Sequence, residues 1–410
     1  MTTTIQTGCC IVGGGPAGMM LGFLLARTGV EVVVLEKHAD FLRDFRGDTI
    51  HPSTLELMYE LGILEEFLKR PHQEEREISA QVGEHMLKIG DFSHLPTKCK
   101  FLAFMPQWDF LNFIVEQSKR YSTFQVKMQA EATDLIEENG RITGVRANTP
   151  NGNVQVRATL TVGADGRRSV VRERAGFQVM DLGAPMDVLW MRISRLPSER
   201  GQTFGHVEAG RFFIMINRED YWQCAFIVPK GSVDKIRQRG IAQFREEIAG
   251  MEPSVRDRVS ELRDWHDVSL LTVKVDRLRQ WSRPGLLCIG DAAHAMSPVG
   301  GVGINLAIQD AVAAANILSA KLVAGSLTDQ DLHAVQRRRL FPTRATQRLQ
   351  LFVQNRVVRR VLASAQPLTV PWLMRLMQRW PLLRRIPARV IGMGFRPEHV
   401  RTPDYLRDHR

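Results

Sequence analysis

Three clusters of small and acidic residues carry the chemistry that this sequence can do. The first is Gly13-Gly14-Gly15-Pro16-Ala17-Gly18, set between the apolar run Cys9-Cys10-Ile11-Val12 and a helical pattern from Met19 to Arg27. The second is Gly163-Ala164-Asp165-Gly166, followed by Arg167, Arg168 and Arg172. The third is Gly290-Asp291, which leads through Pro298 and Gly300, Gly301 and Gly303 into a long helical pattern. A glycine-lined helix start leaves its first amides bare, and bare amides at the positive end of a helix dipole attract anions. In the first cluster Gly13 permits a tight turn, Gly15 lets a pyrophosphate approach the backbone, and Gly18 lets helix and strand pack closely. Glu36 ends the next β-like run, Val30 to Leu35, where a carboxylate accepts hydrogen bonds from an adenosine ribose. Strand, glycine turn, helix, strand and acid in that order predict a dinucleotide site, against the alternative of a glycine turn kept for packing.

The elements that position these clusters alternate between helical and β periodicity. His51-Pro52-Ser53 opens a helix through Leu55, Met58 and Leu61 that Gly62 stops, and Pro106 to Lys119 has helical spacing. Asn139-Gly140 and Asn151-Gly152 are hairpin turns, so residues 131–162 read as an antiparallel meander that replaces a helical crossover. Residues 186–228 read as strands with one covered face, 232–262 as charged helix, and 268–275 as a returning strand. Residues 330–365 read as a long arginine-rich helix with an apolar stripe of Phe341, Leu349, Phe352, Val353 and Val357.

Composition narrows the class. A chain of 410 residues implies two or three lobes, and its make-up is that of an ordinary soluble protein. The N-terminal apolar stretch lacks a basic flank and a cleavage site, and no run of 18 apolar residues suggests a membrane span. Five cysteines without a C-x-x-C pair fit unpaired thiols in a reducing cytoplasm. The net charge of +11 is local: residues 331–410 hold seventeen arginines, no lysine and four acids. From Pro367 to Phe395, Trp372, Leu376, Trp380 and Leu382 interleave with Arg375, Arg379, Arg384, Arg385 and Arg389, broken by Pro371, Pro381 and Pro387. Such a tail folds back on the body or onto a second subunit, or meets a membrane surface. Nucleic acid is not expected, since no recognition motif accompanies the arginines.

The three clusters, in this order, resemble those of the class A flavoprotein monooxygenases, the para-hydroxybenzoate hydroxylase type, from about residue 5 to residue 360. The resemblance implies an α/β chain: a Rossmann-like FAD-binding fold with a β-meander crossover (1–75, 100–180 and 276–330) and an antiparallel-sheet substrate domain (76–99 and 181–275). A bridging helix (331–365) and a basic amphipathic tail (366–410) follow. It implies FAD as cofactor, with NADPH or NADH as transient hydride donor and no nicotinamide domain of its own. Gly13, Gly15, Pro16, Ala17 and Gly18 then cradle the FAD pyrophosphate and Glu36 binds its ribose, with Lys37 and Ala132 in the same binding set. Arg46 matches an arginine that contacts the cofactor, the alternative being a surface loop arginine, and Gln107 matches a ribityl contact. Asp165 and Gly166 match a turn that serves FAD and nicotinamide, Asp165 being equally suited to cap a helix. Gly290 and Asp291 hold ribityl hydroxyls or pyrophosphate, and Pro298 lies beside the isoalloxazine. Gly301 and Gly303 shape the helix start at which the amides of Ile304 and Asn305 meet the flavin N1–C2=O edge.

The activity so implied is hydroxylation or epoxidation of an apolar aromatic or polycyclic substrate, with O2 activated at C4a of the reduced flavin. Trp190, Phe213, Met215 and Trp222 stand for the substrate-lining region, although alternation sends about half of its side chains each way. His206 and Tyr221 are the candidates for a base. No metal ligand set is seen. Open alternatives on the same scaffold are a prenyl reductase, an oxidase, a halogenase (whose W-x-W-x-I-P segment is absent) or a non-catalytic membrane-associated flavoprotein; a homodimer is also open.

Overall fold

The computed structural model describes residues 3–42, 49–199 and 203–408. Its central layer is an eight-stranded sheet. β1 (Thr3–Val12) runs parallel to β2 (Val32–Leu35) on one side and to β11 (Gly152–Gly163) on the other. β8 (Phe124–Lys127) continues the sheet beyond β2. Beyond β11 lie β20 (Leu286–Cys288), parallel, and β19 (Ser282–Arg283), antiparallel. The last four residues of β1 and all of β2 are buried, which is why they read as unbroken apolar runs. β9 (Glu131–Glu138) and β10 (Arg141–Thr149) attach as an antiparallel meander to the first half of β11. The crossover between β8 and β11 is therefore made of strands, and Asn139 and Gly140 turn with φ of 50° and 77°.

Helices cover this sheet. α1 (Pro16–Ala26) packs against α4 (Gln107–Ser118) and α8 (Gly303–Val323). The helical stretch 299–323 is long and apolar enough to cross a membrane, yet 67% of its apolar window is buried and Asp310 sits fully buried within it. It is a core helix. α2 (Pro52–Glu60), α3 (Leu64–Phe67) and a small sheet of β3 (Thr49–Ile50), β7 (Leu102–Phe104) and β4 (Gln73–Glu75) stand at one side. α5 (Val170–Arg174) follows β11, and β12 (Val179–Asp181) pairs with β18 (Asp276–Leu278).

The second sheet has seven strands. β17 (Ser269–Leu271), β13 (Met186–Ser194), β16 (Tyr221–Pro229), β15 (Arg211–Asn217), β14 (Phe204–Glu208), β5 (Glu77–Val82) and β6 (His85–Asp91) lie in that order. One face is packed under α6 (Val233–Gln238) and α7 (Ile241–Met251); the other turns toward Val299 of the third cluster.

α9 (Asp329–Val353) passes through one π turn into α10 (Arg359–Ala363). Its expected apolar stripe does not face the core: Phe341 is 59% and Phe352 61% exposed, and Leu349 and Val357 are exposed with them. Leu332 and Val335 anchor its first turns in the core, and from there the buried face is mostly polar, with Arg339, Thr343, Thr346, Gln347 and Gln350. The reason is what it packs against, a loop whose backbone needs hydrogen-bond partners. In the tail, α11 (Trp372–Arg379) and α12 (Arg385–Met393) fold back beside β6. Pro371 and Pro381 set the breaks; Pro387 sits in the first turn of α12, where a missing N–H leaves no bond unmade.

Candidate active site

Four turns meet at one edge of the parallel sheet because the strands carrying them are in register. Val12 lies opposite both Leu35 and Gly163, and Gly163 lies opposite Cys288, so Gly13, Glu36, Ala164 and Ile289 emerge side by side. The ladder continues into the turns: Gly13 N donates to Leu35 O at 2.8 Å, Ala164 N to Val12 O at 2.7 Å and Ile289 N to Gly163 O at 2.9 Å. This carboxyl-terminal edge is where open α/β sheets hold ligands.

The glycines of the first turn do different work. Gly13 has φ 109° and a Cβ there would stand 2.4 Å from Ala164 O; one on Gly18 would stand 2.0 Å from Gly13 O. Both are demanded by the protein's own backbone. A Cβ on Gly15 meets nothing within 4 Å, so its bareness serves something outside the chain. Pro16 occupies the first turn of α1 and no side chain caps it, which leaves the Ala17 and Gly18 amides pointing out. Gly290, with φ 58°, is wedged where a Cβ would lie 3.1 Å from Ala17 Cβ and 3.2 Å from Ala307 Cβ. The starts of α1 and α8 thus converge on Gly290.

Acids line the same edge. Glu36 is buried and accepts from Gly14 N and His38 N, each at 3.0 Å, one at each carboxylate oxygen. Asp291 Oδ2 accepts from Arg167 Nε at 3.0 Å, and Arg167 Nη2 donates to Met296 O at 3.2 Å. Arg167 Nη1 is buried without a partner among the described residues. A guanidinium fixed in this way with an idle donor fits a diphosphate. Ser169 caps α5, its Oγ accepting from Arg172 N at 3.0 Å, and Asp165 supports that cap: it accepts from Ser169 Oγ at 2.5 Å and Val171 N at 3.1 Å, and burial pushes its carboxyl up. Gly166 turns beside it with φ 81°.

The third cluster is held from two sides. Gln350 Nε2 donates to Ser297 O and Val299 O, both at 2.9 Å, and Gln347 Nε2 to Ala295 O at 3.2 Å, so the polar face of α9 braces the Pro298 loop. Asn305 Oδ1 accepts from His51 N at 2.9 Å and Thr54 Oγ1 at 2.7 Å, while Nδ2 donates to Thr49 O at 3.1 Å. Its side chain is spent on joining α8 to α2, and the Ile304 and Asn305 amides stay in an uncapped first turn behind Gly301 and Gly303. Gln107 begins α4, Lys37 is exposed after Glu36, and Ala132 is buried in β9. Arg46 lies outside the described residues.

A cavity of about 400 Å³ is lined by Leu42, by Trp108 of α4, by Arg192 of β13 and by Tyr221 of β16. The Arg192 guanidinium lies 3.9 Å from the Tyr221 ring centroid. Trp190 shares the face of β13 that carries Arg192. Phe213, Met215 and Trp222 do not reach this cavity: they point to the opposite face and pack with Phe226, Phe244 and Ile248 under α6 and α7. His206 lies opposite Phe213 in the ladder and so shares that covered face, with Nε2 at 3.2 Å from Glu208 Oε1. It does not face the cavity; Tyr221 does. Arg167, Arg192 and Trp108 were not singled out from sequence. Arg192 had a signal, a charge that follows the apolar run Val188 to Met191 and precedes Ile193.

Residues 6–349 match the family described as FAD binding domain. The chain is 34% identical over 402 residues to 6-methylpretetramide 4-monooxygenase of Streptomyces rimosus, covering 97% of this chain and 94% of that relative. It is 28% identical over 315 residues to rifampicin monooxygenase of Streptomyces venezuelae, covering 73% and 61%. Among solved structures, p-nitrophenol 4-monooxygenase PnpA of Pseudomonas putida DLL-E4 matches with a TM-score of 0.75 at 19% identity, covering 94% of this chain and 97% of that one, a likeness of fold.

Proposed function

Since the chain belongs to the FAD-dependent aromatic monooxygenases, we propose that it hydroxylates a planar, polycyclic phenol held between Trp108 and Arg192. FAD is the cofactor and NAD(P)H the reductant; when bound and reduced, the flavin supplies the activation of O2. The chain's own residues bind, orient and keep water out. The Ala17 and Gly18 amides and the idle Arg167 Nη1 take the diphosphate, with Asp291 holding Arg167 in place, and Glu36 takes the ribose. The Ile304 and Asn305 amides face charge at the pyrimidine end, beside Pro298.

The observation that carries the substrate assignment is the cavity wall in which a guanidinium stacks on a phenol ring. Arg192 holds an ionised ring oxygen of the substrate and Tyr221 Oη hydrogen-bonds it, while Trp108 supplies a flat apolar surface. The size of the cavity is within the range of ordinary small-molecule sites. The name of the 34%-identical relative, a monooxygenase of a pretetramide, supports a fused-ring substrate. Five free, buried cysteines support work in a reducing compartment. The test is turnover of the purified holoenzyme with NADPH or NADH, labelled O2 and a panel of mono- and polycyclic phenols. One labelled oxygen in a polycyclic product, with stimulated nicotinamide oxidation, is expected; turnover confined to single-ring phenols, or product without label, overturns the reading.

A further inference from the structure

The tail helices are docked by one face and bare on the other. Inward, Met374 of α11 packs with Val82, Leu87 and Val361. Gln378 Nε2 donates to Lys88 O at 2.8 Å and its Oε1 accepts from Lys88 N at 3.3 Å, so one side-chain amide closes the open edge of β6. Ala388 and Gly392 of α12 press on Phe92 and Leu95. Outward, Trp372 is 74% exposed, Trp380 56%, Leu382 61% and Ile386 63%. These side chains are not waiting for the body of the protein, which already holds the other face.

We propose that this outer face rests on an anionic lipid surface. No acid occurs between Ser364 and Pro397, while six arginines do, and Arg375, Arg379 and Arg389 are exposed among the tryptophans and leucines. Indole rings favour the boundary between headgroups and acyl chains, and arginine stems lie along apolar surface while their heads reach phosphate. α11 and α12, of eight and nine residues, are too short to span a bilayer and suited to lie along one. A second copy is disfavoured as occupant by charge: a two-fold contact would bring the same arginines together with no carboxylate in the segment to meet them. The inference does not depend on the substrate assignment.

The test is flotation of the full-length holoenzyme with vesicles of phosphatidylcholine alone and of phosphatidylcholine with about one-third phosphatidylglycerol. Binding to the anionic vesicles at least about tenfold stronger, and lost in high salt, is expected. Trp372→Ala/Trp380→Ala/Ile386→Ala should abolish it while flavin absorbance and melting temperature hold. Should that variant misfold, Arg375→Gln/Arg379→Gln/Arg389→Gln tests the same face through charge alone. Equal or absent binding to the two vesicle types overturns the proposal, as does a dimer in size-exclusion chromatography that either variant dissolves without any vesicle binding by the parent.

Discussion

The His51 amide donates to Asn305 Oδ1 at 2.9 Å, closing a gap of 254 residues in sequence. The bond fuses the start of α2 to the start of α8, and Thr54 Oγ1 reinforces it at the same oxygen. The imidazole reaches further: its Nδ1 is 2.7 Å from Ile391 O in α12, so Nδ1 carries the proton and Nε2 the lone pair. Nε2 is buried without a partner among the described residues and lies beside Gly301. One residue therefore couples the tail, the second helix and the Gly300-Gly301 turn.

Acid should undo this junction. Burial lowers His51 from 6.5 to about 4, although its bond to Ile391 O opposes the fall. The unfolded chain takes up that proton near pH 6.5 and the folded one resists until about 4, so the stability is whole above pH 6.5 and drains as pH falls toward 4. The span corresponds to roughly 3 kcal/mol. Urea midpoints of the holoenzyme should drop between pH 7 and pH 5, with FAD fluorescence appearing in step. His51→Gln should flatten that part of the profile, and an equally steep profile in the variant would exclude His51 as its source.

Gly15 and Gly18, three positions apart, should fail in different ways. A methyl on Gly18 strikes Gly13 O at 2.0 Å, so Gly18→Ala is expected to lower the stability of the apoprotein by about 1–3 kcal/mol. Gly15 has φ −76° and open space at its Cβ, so Gly15→Ala should leave the apoprotein melting temperature alone. It should nonetheless weaken FAD binding by about tenfold or more, because the methyl enters the pyrophosphate's approach. Calorimetry of the apoproteins and flavin titration separate the two; a destabilised Gly15→Ala apoprotein would contradict this division.

What could be read from sequence was chemistry set by neighbours in the chain. Gly13 to Gly18, Glu36 and Gly290-Asp291 announce themselves because turn, helix start and acid are local. Strand facing did not, because the second sheet is covered on both sides: Leu189 and Trp190, or Phe212 and Phe213, are apolar neighbours on opposite faces. Alternation then carries no polarity signal. Arg167 stayed hidden because its partner Asp291 is 124 residues away and arrives only through the pairing of β11 with β20. α9 misled for the converse reason. Gln347 and Gln350 are buried to serve a loop's carbonyls, and Phe341 and Phe352 are left outside.

The two faces of the second sheet give a paired prediction. Arg192→Ala should raise KM for the substrate by about tenfold or more and leave flavin binding and melting temperature nearly unchanged, as an exposed cavity-wall residue should. Phe213→Ala should do the reverse. It removes a fully buried ring that lies 6.1 Å from the Phe226 ring, at about 3–5 kcal/mol of stability, with KM for the surviving folded enzyme little changed. Steady-state kinetics beside thermal melts read both; a KM effect confined to Phe213→Ala would reverse the assignment of faces.

The Gly290-Asp291 turn is served by two aspartates whose loss should look unlike. Asp310 is fully buried; Gly290 N donates to its Oδ2 at 3.1 Å, His294 Nε2 lies 2.5 Å from that oxygen, and Arg339 Nε donates to Oδ1 at 2.9 Å. Burial alone would raise this carboxyl, but His294 and Arg339 outweigh it and hold it below the ordinary value. Its ionised form is thus part of the fold, and Asp310→Asn leaves Arg339 with Glu398 Oε1, at 3.2 Å, as its remaining carboxylate among the described residues, at about 1–3 kcal/mol of stability. Asp291 is a third exposed and, among the charged groups of the described residues, touches Arg167 alone. Asp291→Ala should therefore fold normally and come off the column colourless, its Arg167 no longer held for the diphosphate. Arg167→Met should do the same, and the double variant should bind FAD no worse than either single, since the two act as one unit. FAD affinities from titration of the three variants, with circular dichroism as the check on folding, decide it: additive losses in the double variant would mean that each residue meets the cofactor independently.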